Sequence, residues 1–131
     1  MSKIIALFIF IAGVMNFLPV FGLFSASNLA NAYGIDVSDP NIEMLMRHRA
    51  LLFGLLGAFL FYSIYKPAYR MLAGAAGLIS MIGFIILAVM TDTIAGEIGT
   101  LVKIDSAGVV FLAVALYLDR KQKEETLPQA L

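Results

Sequence analysis

The residues of this chain that can do chemistry are few, and four of them cluster in one stretch, Glu43-Met44-Leu45-Met46-Arg47-His48-Arg49, which runs directly into an uninterrupted apolar segment. A carboxylate, two guanidinium groups and an imidazole at this spacing suit anion binding or proton transfer. Guanidinium forks match carboxylate and phosphate oxygens, and imidazole titrates near neutrality. Asn16, Lys103 and Asp105 lie within otherwise apolar runs and are candidates to join them. Other chemistries fall away on composition. With no cysteine and a single histidine, disulfides, thiolate metal sites and paired-histidine zinc or haem sets have no ligands. The chain contains no Gly-x-x-x-x-Gly-Lys-Ser/Thr loop, Gly-x-Ser-x-Gly elbow or His-Glu-x-x-His helix, so no catalytic residue, metal or cofactor is expected.

The elements that must position these groups are membrane helices. Of 131 residues, 61% are hydrophobic and 14% charged, whereas about 25% are charged in average soluble domains. Basic and acidic residues cancel, and no basic patch interleaved with aromatics is present, which argues against a nucleic-acid partner. The apolar runs predict an all-α, antiparallel four-helix transmembrane bundle over residues 1–119, with spans at about 4–24, 42–65, 68–90 and 99–118 and a charged cytoplasmic tail over 120–131 that is loosely ordered after its first helical turn. Pro19 is predicted to bend or end the first span. The alternative, a signal peptide cleaved near Ala30-Asn31-Ala32, fits less well, because the apolar run of 21 residues exceeds a signal core of about 7 to 15. Residues 28–33 read as a short interfacial helix, and Asp39-Pro40 as the cap and first residue of the second span. The last clean apolar run, Ala107 to Leu118, is too short for a hydrocarbon core of about 30 Å. The fourth span must therefore begin near Gly99 and take Lys103 and Asp105 with it.

Lys3, Lys66, Arg70, Arg120, Lys121 and Lys123 fall at one end of the spans, while the loops over 25–41 and 91–100 contain no lysine or arginine. That asymmetry predicts both termini on the cytoplasmic side. Depth follows from counting. Arg47 precedes Lys66 by 19 residues, about 28 Å of helix, so its cluster is interfacial. Asp105 precedes Asp119 by 14 residues, about 21 Å, and Asn16 follows Lys3 by 13, about 20 Å, so both lie at one level inside the apolar layer. An aspartate stem is too short to reach the interface as lysine and arginine do; Asp105 must be paired, hydrogen-bonded or protonated. On a helical wheel Arg47 shares a small-residue stripe with Glu43, Ala50, Gly54, Gly57, Ala58 and Phe61. Arg47 is therefore the predicted partner of Asp105, with Glu43 beside it in the favourable i,i+4 order. Arg49 falls with Phe53, Leu56 and Leu60 on a face predicted to meet lipid, so Arg49 and Lys103 are expected at lipid headgroups, with His48 between the two faces. Gly74, Gly77, Ser80 and Gly83 make a further close-packing surface.

Three readings follow. Glu43, Arg47 and Asp105 form a structural network that fixes helix register, as in an accessory subunit. Or Glu43, Arg47, His48, Asp105 and Asn16 line a polar site, open to the outer side, that binds or transports a small anionic or amphipathic ligand; this is the favoured expectation. Or Asp105 and His48 relay protons, which in so narrow a bundle calls for a homo-oligomer. Membrane lipids are the expected partners in each case.

The run Met46-Arg47-His48-Arg49-Ala50-Leu51-Leu52-Phe53-Gly54, preceded by Asp39-Pro40-Asn41, resembles a group of small, uncharacterised four-span bacterial membrane proteins. The resemblance covers most of the chain apart from the tail, and in size and layout the chain is similar to the small four-helix proteins grouped as DoxX-like. It implies a bacterial inner (plasma) membrane location and no activity, so no site residue follows from it. Proteins of this kind carry the label phosphopantetheine adenylyltransferase, a soluble α/β enzyme with a His-x-Gly-His motif. Here the sole histidine is followed by Arg49-Ala50-Leu51 and no strand-helix alternation exists, so the label does not fit.

Overall fold

A computed structural model of the chain describes residues 1–127, which are helical apart from short connections. Helix α1 (Ser2–Phe17) gives way to a tighter 3₁₀ segment over Leu18–Phe24. Pro19 explains the break, since it has no amide to donate and its ring crowds the preceding turn. Helix α2 (Ala26–Tyr33) starts where Ser25 Oγ accepts the Asn28 amide at 3.3 Å, and it stops at Gly34, whose φ of 63° is left-handed. Helix α3 (Pro40–Tyr65) is capped by Asp39, which accepts the Asn41 amide at 2.7 Å, with Pro40 in the first turn as the sequence predicts. One 3₁₀ turn, Pro67–Tyr69, leads into α4 (Arg70–Met90), and α5 (Gly96–Thr126) completes the described chain.

Helix α5 carries Lys103 and Asp105 within it, as expected, but it does not loosen after the first turn beyond Leu118. The predicted loosely ordered tail is helical to Thr126 because its side chains complement one another one turn apart. Lys123 reaches Asp119 at 2.7 Å, Arg120 reaches Glu124 at 3.3 Å, and the Thr126 hydroxyl donates to the Gln122 carbonyl at 3.0 Å. The end of that tail, with Pro128, lies outside the described residues.

Four stretches, Ser2–Phe24, Pro40–Tyr65, Pro67–Met90 and Gly96–Thr126, are long and apolar enough to cross a membrane. At most 28% of any of their apolar windows is buried, so the greater part points outward, as Leu7, Phe10, Leu55, Leu72, Ile79, Ile86 and Val110 show. A continuous apolar exterior of this kind requires hydrocarbon rather than water as its solvent. The chain is an all-helical, multi-pass membrane protein.

Around the bundle the order is α1, α3, α4, α5, each packing on its neighbours, with the α3–α4 seam the loosest. The core is built by Ile5, Ile9 and Ala12 of α1, Leu60 of α3, Ala73 and Met81 of α4, and Leu112 and Ala115 of α5. Small residues set the spacing. A Cβ on Gly57 would sit 2.8 Å from the Phe17 nitrogen and 2.9 Å from the Gly13 oxygen, so α1 and α3 meet backbone to backbone. Gly77 instead receives the Leu112 side chain, whereas a Cβ on Gly83 would meet nothing within 4 Å. Gly83, predicted as a packing position, therefore faces open space. Tyr62, Tyr65, Tyr69 and Tyr117 are exposed; the first three adjoin the α3–α4 turn, where Arg70 lies. At the opposite end, Leu29, Tyr33 and Val37 form a second small core with Met46, Ile98 and Leu101, which holds α2 against α3 and α5.

Candidate functional site

At the α2 end the bundle encloses a cavity of about 570 Å³, the size of small-molecule sites. Its walls come from every element there: Met15 and Asn16 at the end of α1, Leu18, Pro19, Phe21 and Gly22 of the 3₁₀ segment, Asn28 to Tyr33 of α2 except Ala30, Arg49 and Phe53 of α3, Phe84 of α4, and Leu101, Ile104 and Asp105 of α5. The 3₁₀ segment around Pro19 thus contributes four of the lining residues. Most of the wall is apolar, and a few polar groups converge on it.

Arg49 is the central one. Its guanidinium carbon lies 5.2 Å from the centroid of the Tyr33 ring, 5.2 Å from Phe53 and 5.0 Å from Phe84, so one aromatic from each of α2, α3 and α4 surrounds the charge. Cation–π attraction grows where water is excluded, and it holds the cation in place without a carboxylate. Among the described residues the ion pairs are Glu43–Arg47, Arg70–Asp119, Asp119–Lys123 and Arg120–Glu124. Arg49 and Asp105 are thus both unpaired, although Asp105 lies within reach of the Arg49 charge. Tyr33 is buried beside them, and burial pushes its phenol pKa up against the opposing effect of Arg49, so its hydroxyl stays a neutral donor.

Asn16 lies deeper, only 3% exposed. Its Nδ2 donates to the Ala12 carbonyl at 2.8 Å and points at the Met81 sulfur at 3.8 Å. A carbonyl can only accept, which fixes the amide's orientation. The Oδ1 atom is then a buried acceptor with no partner among the described residues, in a side chain that lines the cavity.

The structure brings Asn16 and Asp105 to one cavity but leaves Glu43, Arg47, His48 and Lys103 off its walls. Arg47 does not reach Asp105. It binds Glu43 Oε1 through Nε at 2.8 Å and Nη2 at 2.6 Å, and through Nη1 it donates to the Leu23 carbonyl at 2.6 Å. The predicted i,i+4 pair with Glu43 is present. What replaces the predicted Asp105 partner is a backbone oxygen near the end of the 3₁₀ segment, which the helix break leaves without an intrahelical amide. His48 and Lys103 are exposed.

Arg49 corrects the wheel. The face read as lipid-facing meets α4, since Leu60 is fully buried, Phe53 is half-buried, and Leu60 packs at Gly77. Ala58, predicted to face inward, is exposed. A helix in a four-membered ring has two neighbours in different directions. The small stripe of α3 serves α1, and the large apolar stripe serves α4. The Arg49–Phe53 spacing of i,i+4 was the available signal, since an aromatic one turn from an arginine is a cation–π pair in waiting.

A second polar group, at the Arg70 end, was not anticipated. Arg70 and Asp119 are 8% and 3% exposed and pair at 2.9 Å across α4 and α5. Lys123 adds a second contact to Asp119, and Arg70 Nη2 donates to the Ile64 carbonyl at 3.3 Å. Their equal depth at the basic end of two spans was legible, but nothing in the spacing said that the two helices are neighbours there.

No family model matches the chain, and no curated protein or solved structure is significantly similar to it.

Proposed function

We propose that this chain is a bacterial inner-membrane protein, an antiparallel bundle with both termini cytoplasmic, whose outward-facing cavity binds or transports a small amphipathic ligand with an anionic head. The orientation rests on the lysines and arginines gathered at the Arg70 end and missing from the loops at the cavity end. The ligand class rests on one observation above all: a caged, unpaired Arg49 on the wall of a mostly apolar cavity. An arginine held rigid by rings loses little freedom on binding, so its charge-assisted hydrogen bonds to an oxyanion are available nearly in full. The apolar wall accepts the rest of the ligand. The alternative, a structural or accessory subunit, draws on the Glu43–Arg47–Leu23 lock, which ties α3 to the 3₁₀ segment and asks for no ligand.

Thermal unfolding of the purified protein in neutral detergent, with dodecyl phosphate as probe, separates the two. The probe should stabilise the wild type saturably. Arg49→Gln should remain folded and bind about 10- to 100-fold more weakly, the worth of a hydrogen bond to a charged group. Equal stabilisation of both proteins, or none of the wild type, would rule out the site and leave the structural reading.

A further inference from the structure

Arg49 and Phe53 belong to two spaces at once. Besides the cavity, they line a groove of about 210 Å³ with Leu52, Leu56 and Ser80, which runs down the seam between α3 and α4. Gly83 stands one turn along from Ser80 on α4; it is half-buried, yet a Cβ there would touch nothing within 4 Å. The α3–α4 seam is also the loosest of the bundle. The caged guanidinium therefore stands where an apolar slot joins the polar part of the cavity.

The polar part has its own asymmetry. Beyond Arg49 two of its groups are acceptors that no protein donor reaches among the described residues: the Asp105 carboxylate and the buried Oδ1 of Asn16, to neither of which the Tyr33 hydroxyl or the amides of Asn28 and Asn31 donate. An anion alone would satisfy Arg49 and leave both wanting a donor. A headgroup carrying phosphate and a primary ammonium satisfies all three, with phosphate on Arg49 and N–H donors on Asp105 and Asn16. A quaternary ammonium would not, because it has no N–H and the aromatic cage that would attract it is already filled by Arg49.

Building on the amphipathic-ligand reading above, we infer that the ligand is an amino-phospholipid of the membrane, with its headgroup in the cavity between Arg49, Asp105 and Asn16 and an acyl chain in the α3–α4 seam. A lipid reaches such a site sideways from the outer leaflet. The slot is apolar, opens toward hydrocarbon, and meets the cation at its head, so chain and phosphate are placed by the same contact.

Native mass spectrometry of the full chain, with equimolar lipids in mixed micelles, tests this. Phosphatidylethanolamine should be retained about tenfold or more over phosphatidylglycerol, which lacks the ammonium, and over phosphatidylcholine, which lacks the N–H donors. Asp105→Asn should erase that preference while phospholipid is still bound. Ser80→Leu or, independently, Leu56→Trp should fill the slot and weaken lipid retention about tenfold or more. Free O-phosphoethanolamine should bind at least about 100-fold more weakly than the lipid, having no chain to bury. Binding of the free headgroup as tight as that of the lipid, or lipid retention unchanged in both slot variants, would overturn the inference. So would dodecyl phosphate stabilisation without any lipid preference, which leaves the broader reading standing; loss of the Arg49-dependent stabilisation itself would remove that reading as well.

Discussion

Arg47 and Arg49 are two residues apart and have opposite fates, and the difference is set by what surrounds each charge. Arg47 spends its donors on Glu43 and on the Leu23 carbonyl, so it is structural. Arg49 is held by aromatic faces and makes no direct ion pair among the described residues. The same logic ranks the ion pairs. Arg70–Asp119 is nearly excluded from solvent, with side chains 9% and 3% exposed, whereas Arg120–Glu124 is open at 74% and 65%. Removing one partner of a buried pair strands the other, so Asp119→Ala should cost about 3–5 kcal/mol of unfolding free energy. Arg120→Ala should change it by less than about 1 kcal/mol. Denaturant unfolding in detergent micelles measures both, and equal losses would contradict the burial argument.

At the scale of elements, two glycines on neighbouring helices predict opposite responses to the same change. Gly57 is where α1 and α3 touch through backbone atoms that cannot move aside, so Gly57→Ala should destabilise by about 1–3 kcal/mol. Gly83 has open space where its side chain would be, and alanine is the better helix former by about 1 kcal/mol, so Gly83→Ala should be neutral or stabilising. A stability measurement on the pair that reverses this order would mean that the space before Gly83 is filled. The first element shows a related dependence of space on sequence. Pro19 ends α1 early, and the 3₁₀ segment that follows both walls the cavity and supplies the carbonyl that binds Arg47.

For the whole molecule, the two ends of the bundle divide the work. One is tied by the buried Arg70–Asp119 pair with Lys123 beside it, and the other holds the cavity, walled by the 3₁₀ segment and α2. The proposed orientation puts the tied end in the cytoplasm. Because the chain has no cysteine, single introduced ones report cleanly. Ser38→Cys should react with an impermeant maleimide added to intact cells, and Glu124→Cys should react only after the cells are opened. The reverse pattern would invert the topology and with it the outer-leaflet route.

Much of this architecture was legible in the order of residues. Apolar runs of spanning length, the Asp39-Pro40 start, the Pro19 break and the distribution of basic residues are all local signals, because helix formation and membrane partition depend on neighbours along the chain. Depth is local too, since a helix rises by a constant amount per residue, and counting put Asn16 and Asp105 at one level. Direction is not local. Whether a stripe of α3 meets lipid or a neighbouring helix depends on which helices stand beside it, and a wheel records angles without neighbours. Only the tertiary structure decided that Arg49, not Arg47, shares the cavity with Asp105, because only the packing of α2, α4 and α5 around α3 brings Tyr33, Phe84 and Asp105 to the same guanidinium.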